Sequence, residues 1–215
     1  MNTTLEVEVV VTIHRTDLAY ANGQKTGLPK GLSGGISKQQ LLEMKISESL
    51  VEADNFDLIA MGRPEGPGCY CYANNVLKQA LGEISGQYPY IVLDNEAGLE
   101  NLSRRIVTRV DVLVIVADPS ARGLETVERL WTLAKEMDVG YGRLAIVVNR
   151  LRNGELPAAA AELKKKTNAD FVLGLADDDE VARFAQEGRT MFELSANNQV
   201  AAKLDDFLMQ LNLGS

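Results

Sequence analysis

Residues 112–149 read VLVIVADPSARGLETVERLWTLAKEMDVGYGRLAIVVN, two short runs rich in β-branched residues on either side of a segment with helical period. Val112 to Ala117 and Leu144 to Asn149 have the composition of buried strands. Between them Val127, Leu130, Trp131 and Ala134 recur at helical spacing, which lays one apolar face on a sheet. Strand, helix and strand in that order is the pattern of parallel strands joined by a crossover helix.

The alternation extends in both directions. Upstream lie strand candidates Phe56 to Met61 and Tyr90 to Asp94, with Val76, Leu77, Ala80, Leu81 and Ile84 at helical spacing between them. Downstream, Phe171 to Leu175 is a further strand. Asp177 to Asp179 follow it and can cap a helix containing Val181, Phe184 and Ala185, with Gly188 at its end. Leu204, Phe207, Leu208 and Leu211 mark a closing helix. Ser37 and Gln40 form a capping box ahead of Leu41, Leu42, Ile46 and Leu50, which predicts a helix there too. Near the start, Leu5, Val7, Val9, Val11 and Ile13 alternate as in a half-buried strand, and the Gly-rich stretch to Gly35 reads as a loop. Lys30-Gly31-Leu32-Ser33-Gly34-Gly35 is not a phosphate loop, because it lacks the strand-turn-helix setting and the Gly-Lys-Ser/Thr ending. The expectation is one α/β domain over residues 1–215, with a mostly parallel sheet flanked by helices.

Bulk properties narrow the function. A chain of 215 residues with 46% hydrophobic content can bury a core. Its net charge of −8 argues against nucleic acid, whose phosphates need clustered Lys and Arg. Lys164-Lys165-Lys166 reads as the solvated end of a helix. No run approaches the roughly 20 apolar residues of a membrane span, and the polar start resembles neither a signal peptide nor an acylation site. With only two cysteines there is no disulfide framework, so a cytoplasmic location is expected.

Those cysteines sit in Gly62-Arg63-Pro64-Glu65-Gly66-Pro67-Gly68-Cys69-Tyr70-Cys71, directly after a strand candidate. If the backbone turns there, both thiolates can reach one soft metal. A tetrahedral site wants four donors, and one chain offers two thiols and a distant imidazole, His14. A two-fold dimer brings the same loop together twice and supplies four thiolates, a set suited to Zn(II), Ni(II), Cu(I) or an iron-sulfur cluster. Spacing alone leaves two other readings open, a pair of buried apolar cysteines and a redox dithiol. His14 reads as structural or exposed.

The longer run Met61-Gly62-Arg63-Pro64-Glu65-Gly66-Pro67-Gly68-Cys69-Tyr70-Cys71-Tyr72-Ala73-Asn74 resembles the signature loop of CooC-type accessory ATPases, relatives of the MinD and ParA proteins. The resemblance continues through Leu93-Asp94-Asn95-Glu96-Ala97-Gly98, Ala117-Asp118-Pro119-Ser120 and Val148-Asn149-Arg150. It implies a P-loop NTPase fold, a metal shared across a homodimer through the Cys-x-Cys loop, and ATP-linked nickel delivery to carbon monoxide dehydrogenase. On that resemblance Cys69 and Cys71 become ligands of nickel or zinc. Asp94 resembles the carboxylate that holds Mg²⁺ through water, and Gly98 the glycine beside a γ-phosphate. Asn149 resembles the residue that reads adenine, while Asp177 falls in the base-side loop, with Ala176 where relatives often carry proline. Asp94 as a helix cap and Asn149 as a turn residue are the structural alternatives. Two further functions share the fold: MinD/ParA-like recruitment, and an iron-sulfur ATPase like the nitrogenase iron protein.

The family opens with a strand and a two-lysine phosphate loop, and neither resembles anything in these residues. The expected consequence is that this polypeptide binds nucleotide weakly at best and does not hydrolyse ATP. A sheet without those strands would also leave an edge, so residues 5 to 13 are expected either to pair between chains or to rearrange.

Overall fold

The computed structural model describes residues 7–14, 50–52, 56–62, 78, 82, 88–95, 108–152 and 154–211. They belong to two compact units, Met1–Ile106 and Val107–Ser215.

The first unit holds a four-stranded sheet of β1 (Val7–His14), β2 (Leu50–Glu52), β3 (Phe56–Gly62) and β4 (Tyr90–Asn95), in the order β2-β3-β1-β4. The alternating N-terminal segment is the strand that its period predicts, and it pairs within its own chain. Running antiparallel to both neighbours, β1 sets Val10 opposite Ala60 on one side and Asp94 on the other, and His14 opposite Phe56 and Tyr90. One side chain in β3 needs a polar partner, because Asp57 is wholly buried; the Tyr88 hydroxyl donates to its Oδ2 at 2.6 Å. The helix expected to run to Leu50 does not reach it. Leu50 begins β2, where Leu50, Val51 and Glu52 pair antiparallel with Ile59, Leu58 and Asp57, so sheet hydrogen bonds win over the helical spacing of the leucines. The remainder of that predicted helix lies outside the described residues. Of the helix predicted around Val76 to Ile84, Lys78 and Gly82 are described, and both are helical and exposed.

The second unit is built on three parallel strands, β5 (Arg109–Ala117), β6 (Gly140–Leu151) and β7 (Phe171–Ala176), in that order. As the central strand, β6 buries Leu144 to Val148 without a break, which is why that stretch is apolar at every position. Its alternate residues serve two cores. Leu144, Ile146 and Val148 pack with Leu124 and Val127 of α1 (Ala121–Glu136) and with Ala160 and Leu163 of α2 (Ala158–Thr167). Ala145 packs with Phe207 and Leu211, and Val147 with Val200, all from α4 (Gln199–Leu211). Phe171 meets the Phe207 ring edge-on at 5.9 Å. Between β7 and α4 lies α3 (Asp179–Glu187), capped at its end by Gly188 at φ 65° as predicted.

The second unit is therefore an α/β layer structure, with a parallel sheet covered by helices. Each predicted strand core is present, and the observed strands run one to four residues further at their ends.

Glycine sets one tight junction. A Cβ on Gly123, in the first turn of α1, would lie 2.5 Å from the Asp118 carbonyl oxygen and 2.7 Å from Asp118 Oδ1. Gly123→Ala is expected to lower stability by about 1–3 kcal/mol through that clash. Gly82→Ala, on an exposed helical site with no atom within 4 Å of the new Cβ, is expected to raise it by about 0.5–1 kcal/mol. Thermal or urea unfolding of the two variants beside the parent checks the opposite signs.

Candidate functional site

Three parallel strands end on the same side of their sheet. The register that sets Ala117 beside Val148, and Leu151 beside Ala176, brings three polar segments to one edge: the Asp118 to Ser120 turn, Asn149 with Arg150 near the end of the β6 ladder, and Asp177 with Asp178. Open α/β sheets bind their ligands outside these carboxyl ends, where backbone and polar side chains are no longer consumed by the ladder.

Each segment is locally determined. After β5, Asp118 Oδ1 accepts the Ser120 amide at 2.8 Å, and Ser120 Oγ accepts Gly123 N at 3.0 Å, so the turn and the cap of α1 form one unit. The Ser120 hydroxyl, then its amide, hold the Asp118 carboxyl below the usual carboxylate range, with Arg150 adding attraction. At the end of β6 the ladder is irregular. It advances from Val148 to Leu151 while β7 advances only from Gly174 to Ala176, which leaves one extra residue in β6. Arg150 takes φ 59°, a left-handed conformation uncommon for a residue with a side chain. The bulge turns Asn149 out of the regular ladder. The half-buried Asn149 accepts the Arg150 amide on Oδ1 at 2.9 Å, a bond that does not engage its N–H donors. An amide offering donor and acceptor side by side is the group that pairs with an adenine edge.

After β7, the Asp177 amide donates to the Leu151 carbonyl at 3.0 Å and ties this loop to β6. Asp177 itself is exposed. It does not cap α3, since Asp178 does so, accepting Val181 N at 2.9 Å. Asn149 and Asp177, two residues named from the sequence, therefore stand on adjacent strand ends of one sheet edge. Asp94 lies in the other unit, exposed near the end of β4. Cys69, Cys71 and Gly98 lie outside the described residues. Among the described residues no cluster of three or more His, Cys, Asp or Glu side chains could hold a metal ion, and no helix is long and apolar enough to cross a membrane.

Asp118, Ser120 and Arg150 stand in the sequence within the resemblance without a role of their own, and Asn198 lies outside the quoted motifs. Arg150 gives no warning of a positive φ, a conformation expected of Gly or Asn. Asn198 did carry a signal: an Asn just before a helix is a cap candidate.

Over 175 residues the chain is 37% identical to an ATP-binding protein of Methanocaldococcus jannaschii, a match covering 81% of this chain and 69% of that relative. The chain belongs to the MinD/ParA-like family of ATP-binding P-loop proteins. Within that family it is also similar to the carbon monoxide dehydrogenase accessory protein CooC of Rhodospirillum rubrum, at 28% identity over 67% of this chain and 55% of CooC. The septum site-determining protein MinD of Bacillus subtilis matches at 26% identity over 67% of this chain and 56% of MinD. No protein-family model matches the chain. Membership accords with the parallel sheet and with polar groups gathered at its carboxyl edge.

Because the folded-state pKa of Asp118 is depressed, its contribution to stability is present above the unfolded value and is lost as pH falls through the folded value. The stability gap between the parent and Asp118→Asn is therefore expected to be constant at neutral pH and to shrink below about pH 4. Melting temperatures of both proteins from pH 7 down to acid pH check this.

Proposed function

We propose that this chain is the metal-carrying subunit of a nucleotide-dependent maturation factor for a nickel-containing carbon monoxide dehydrogenase. The observation that carries this reading is the pair of thiols, Cys69 and Cys71, that follows β3 in the sequence of an ATP-binding family member that also matches a carbon monoxide dehydrogenase accessory protein. Two thiolates from each of two chains make a four-sulfur site for nickel or zinc, so the functional unit is a homodimer with the ion at its centre.

Nucleotide supplies the control. Asn149 would read adenine at the end of β6, with Asp177 on the neighbouring loop, and Asp94 would hold Mg²⁺ through water. Gly98, four residues beyond Asp94, would permit close approach of a γ-phosphate. Binding energy at these groups would set how two subunits meet, and hence whether four thiolates or two face the ion.

A second reading follows from the comparable similarity to MinD, in which nucleotide state governs recruitment and no metal is involved. Metal titration separates the two. Nickel or zinc added to the purified chain is expected to bind one ion per two chains and to shift the mass in solution to that of a dimer. Cys69→Ser is expected to weaken this binding by at least about 100-fold, since loss of one ligand type removes two of four donors. Unchanged stoichiometry and affinity in Cys69→Ser would contradict a shared-thiolate site. Visible absorption of an iron-sulfur cluster in the protein as isolated would favour an iron-sulfur ATPase instead.

A further inference from the structure

Asn198, just ahead of α4, is 6% exposed and engages groups from two other segments of the second unit. Its Oδ1 accepts the amides of Val200 and Ala201, each at 3.0 Å, and so caps α4. Its Nδ2 donates to Asp178 Oδ1 at 3.2 Å and to Glu180 Oε2 at 3.0 Å. Two donors and two acceptor positions are all that an asparagine side chain offers, and all four are occupied.

The partners explain why the joint matters. Asp178 Oδ1 is also the cap of α3, and Asp178 directly follows Asp177 at the sheet edge. Glu180 is held a second time, by the Ser195 hydroxyl at 2.5 Å and the Ser195 amide at 3.2 Å. The loop after β7 is thus fixed at two points. Its start is tied to β6 through Asp177 N and the Leu151 carbonyl, and its end to α4 through Asn198.

We propose that Asn198 is a positioning residue for nucleotide recognition, holding the Asp177 loop at the distance from Asn149 that a purine base requires. This rests on the proposed adenine site at Asn149. Asn198 does not touch the base. It acts by placing the neighbouring loop, and the chemistry it serves is discrimination between adenine and guanine nucleotides.

The substitution Asn198→Asp is nearly isosteric and keeps both acceptor bonds to α4. It replaces two donors with a carboxylate facing Asp178 and Glu180, so repulsion should push the loop outward. ADP and GDP are titrated into the ¹⁵N-labelled full chain, with amide exchange at Asp177 and Ile146 followed in parallel. The parent is expected to prefer ADP. In Asn198→Asp that preference is expected to fall about tenfold, through weaker ADP binding, with Asp177 exchanging faster while Ile146 stays protected. Adding Glu180→Gln exchanges donor and acceptor across the same contact, and the double variant is expected to recover the ADP preference.

A folded Asn198→Asp protein that keeps both the parent ADP-to-GDP ratio and the parent exchange at Asp177 overturns the proposal. So does a double variant that folds without recovering the preference. A parent that shows no ADP preference at all, or no shift at Asn149, overturns the adenine site itself and the proposal with it. Faster exchange at Asp177 in the variant would then still report the loop contact, so the two failures are distinguishable.

Discussion

The second unit depends on the parallel pairing of β6 with β5 on one side and β7 on the other. A strand paired on both edges and covered on both faces can hold only apolar side chains, and Leu144 to Val148 are all buried. Removing the Ile146 side chain from the middle of it would cost about 2–5 kcal/mol, a large share of a domain's net stability. The same pairing determines where chemistry can occur. Parallel strands end together, so the polar segments of β5, β6 and β7 gather at one edge without any contact having to be built across the core.

Polar groups at that edge are held by a relay of short local bonds. Asp118 organises Ser120, Ser120 caps α1, and Gly123 lets the two come close. Asp178 caps α3 and Asn198 caps α4, and the two caps are bonded to each other. The starts of α3 and α4 are thereby fixed to one another. Arg150 is the exception to low strain. A residue with a full side chain held at positive φ is the kind of local cost that persists where surrounding structure over-determines it.

How much of this the sequence discloses follows from the range over which each signal acts. Buried strands and their crossover helices are legible because the apolar period is local: Val112 to Ala117 and Leu144 to Asn149 lie within the observed β5 and β6. Leu50 lies in a strand and not in the expected helix, because spacing of leucines cannot distinguish a helix from a strand whose partner, Ile59, arrives later in the chain. The antiparallel insertion of β1 between β3 and β4 is likewise a pairing choice, which period alone does not specify. At the site, Asn149 carries its reading through a resemblance alone, and the structure places it two residues before the end of β6. The role of Asn198 is not legible in the sequence, because it lies in bonds to Asp178 and Glu180, about 20 residues away, and such pairing leaves no periodic trace.

The two halves of the proposed function have different supports. Nucleotide recognition rests on family membership and on a sheet edge whose groups suit a purine. Metal carriage rests on two thiols two residues apart in the sequence of a family member with a carbon monoxide dehydrogenase accessory protein among its relatives. Nucleotide recognition is the central claim, since the metal reading depends on it for control. Amide shift mapping with ADP tests it most directly, because shift changes remain visible when affinity is low. The account predicts shifts concentrated at Asn149, Arg150 and Asp177, abolished by Asn149→Ala. Shifts absent from those residues, or undiminished in the variant, would contradict it.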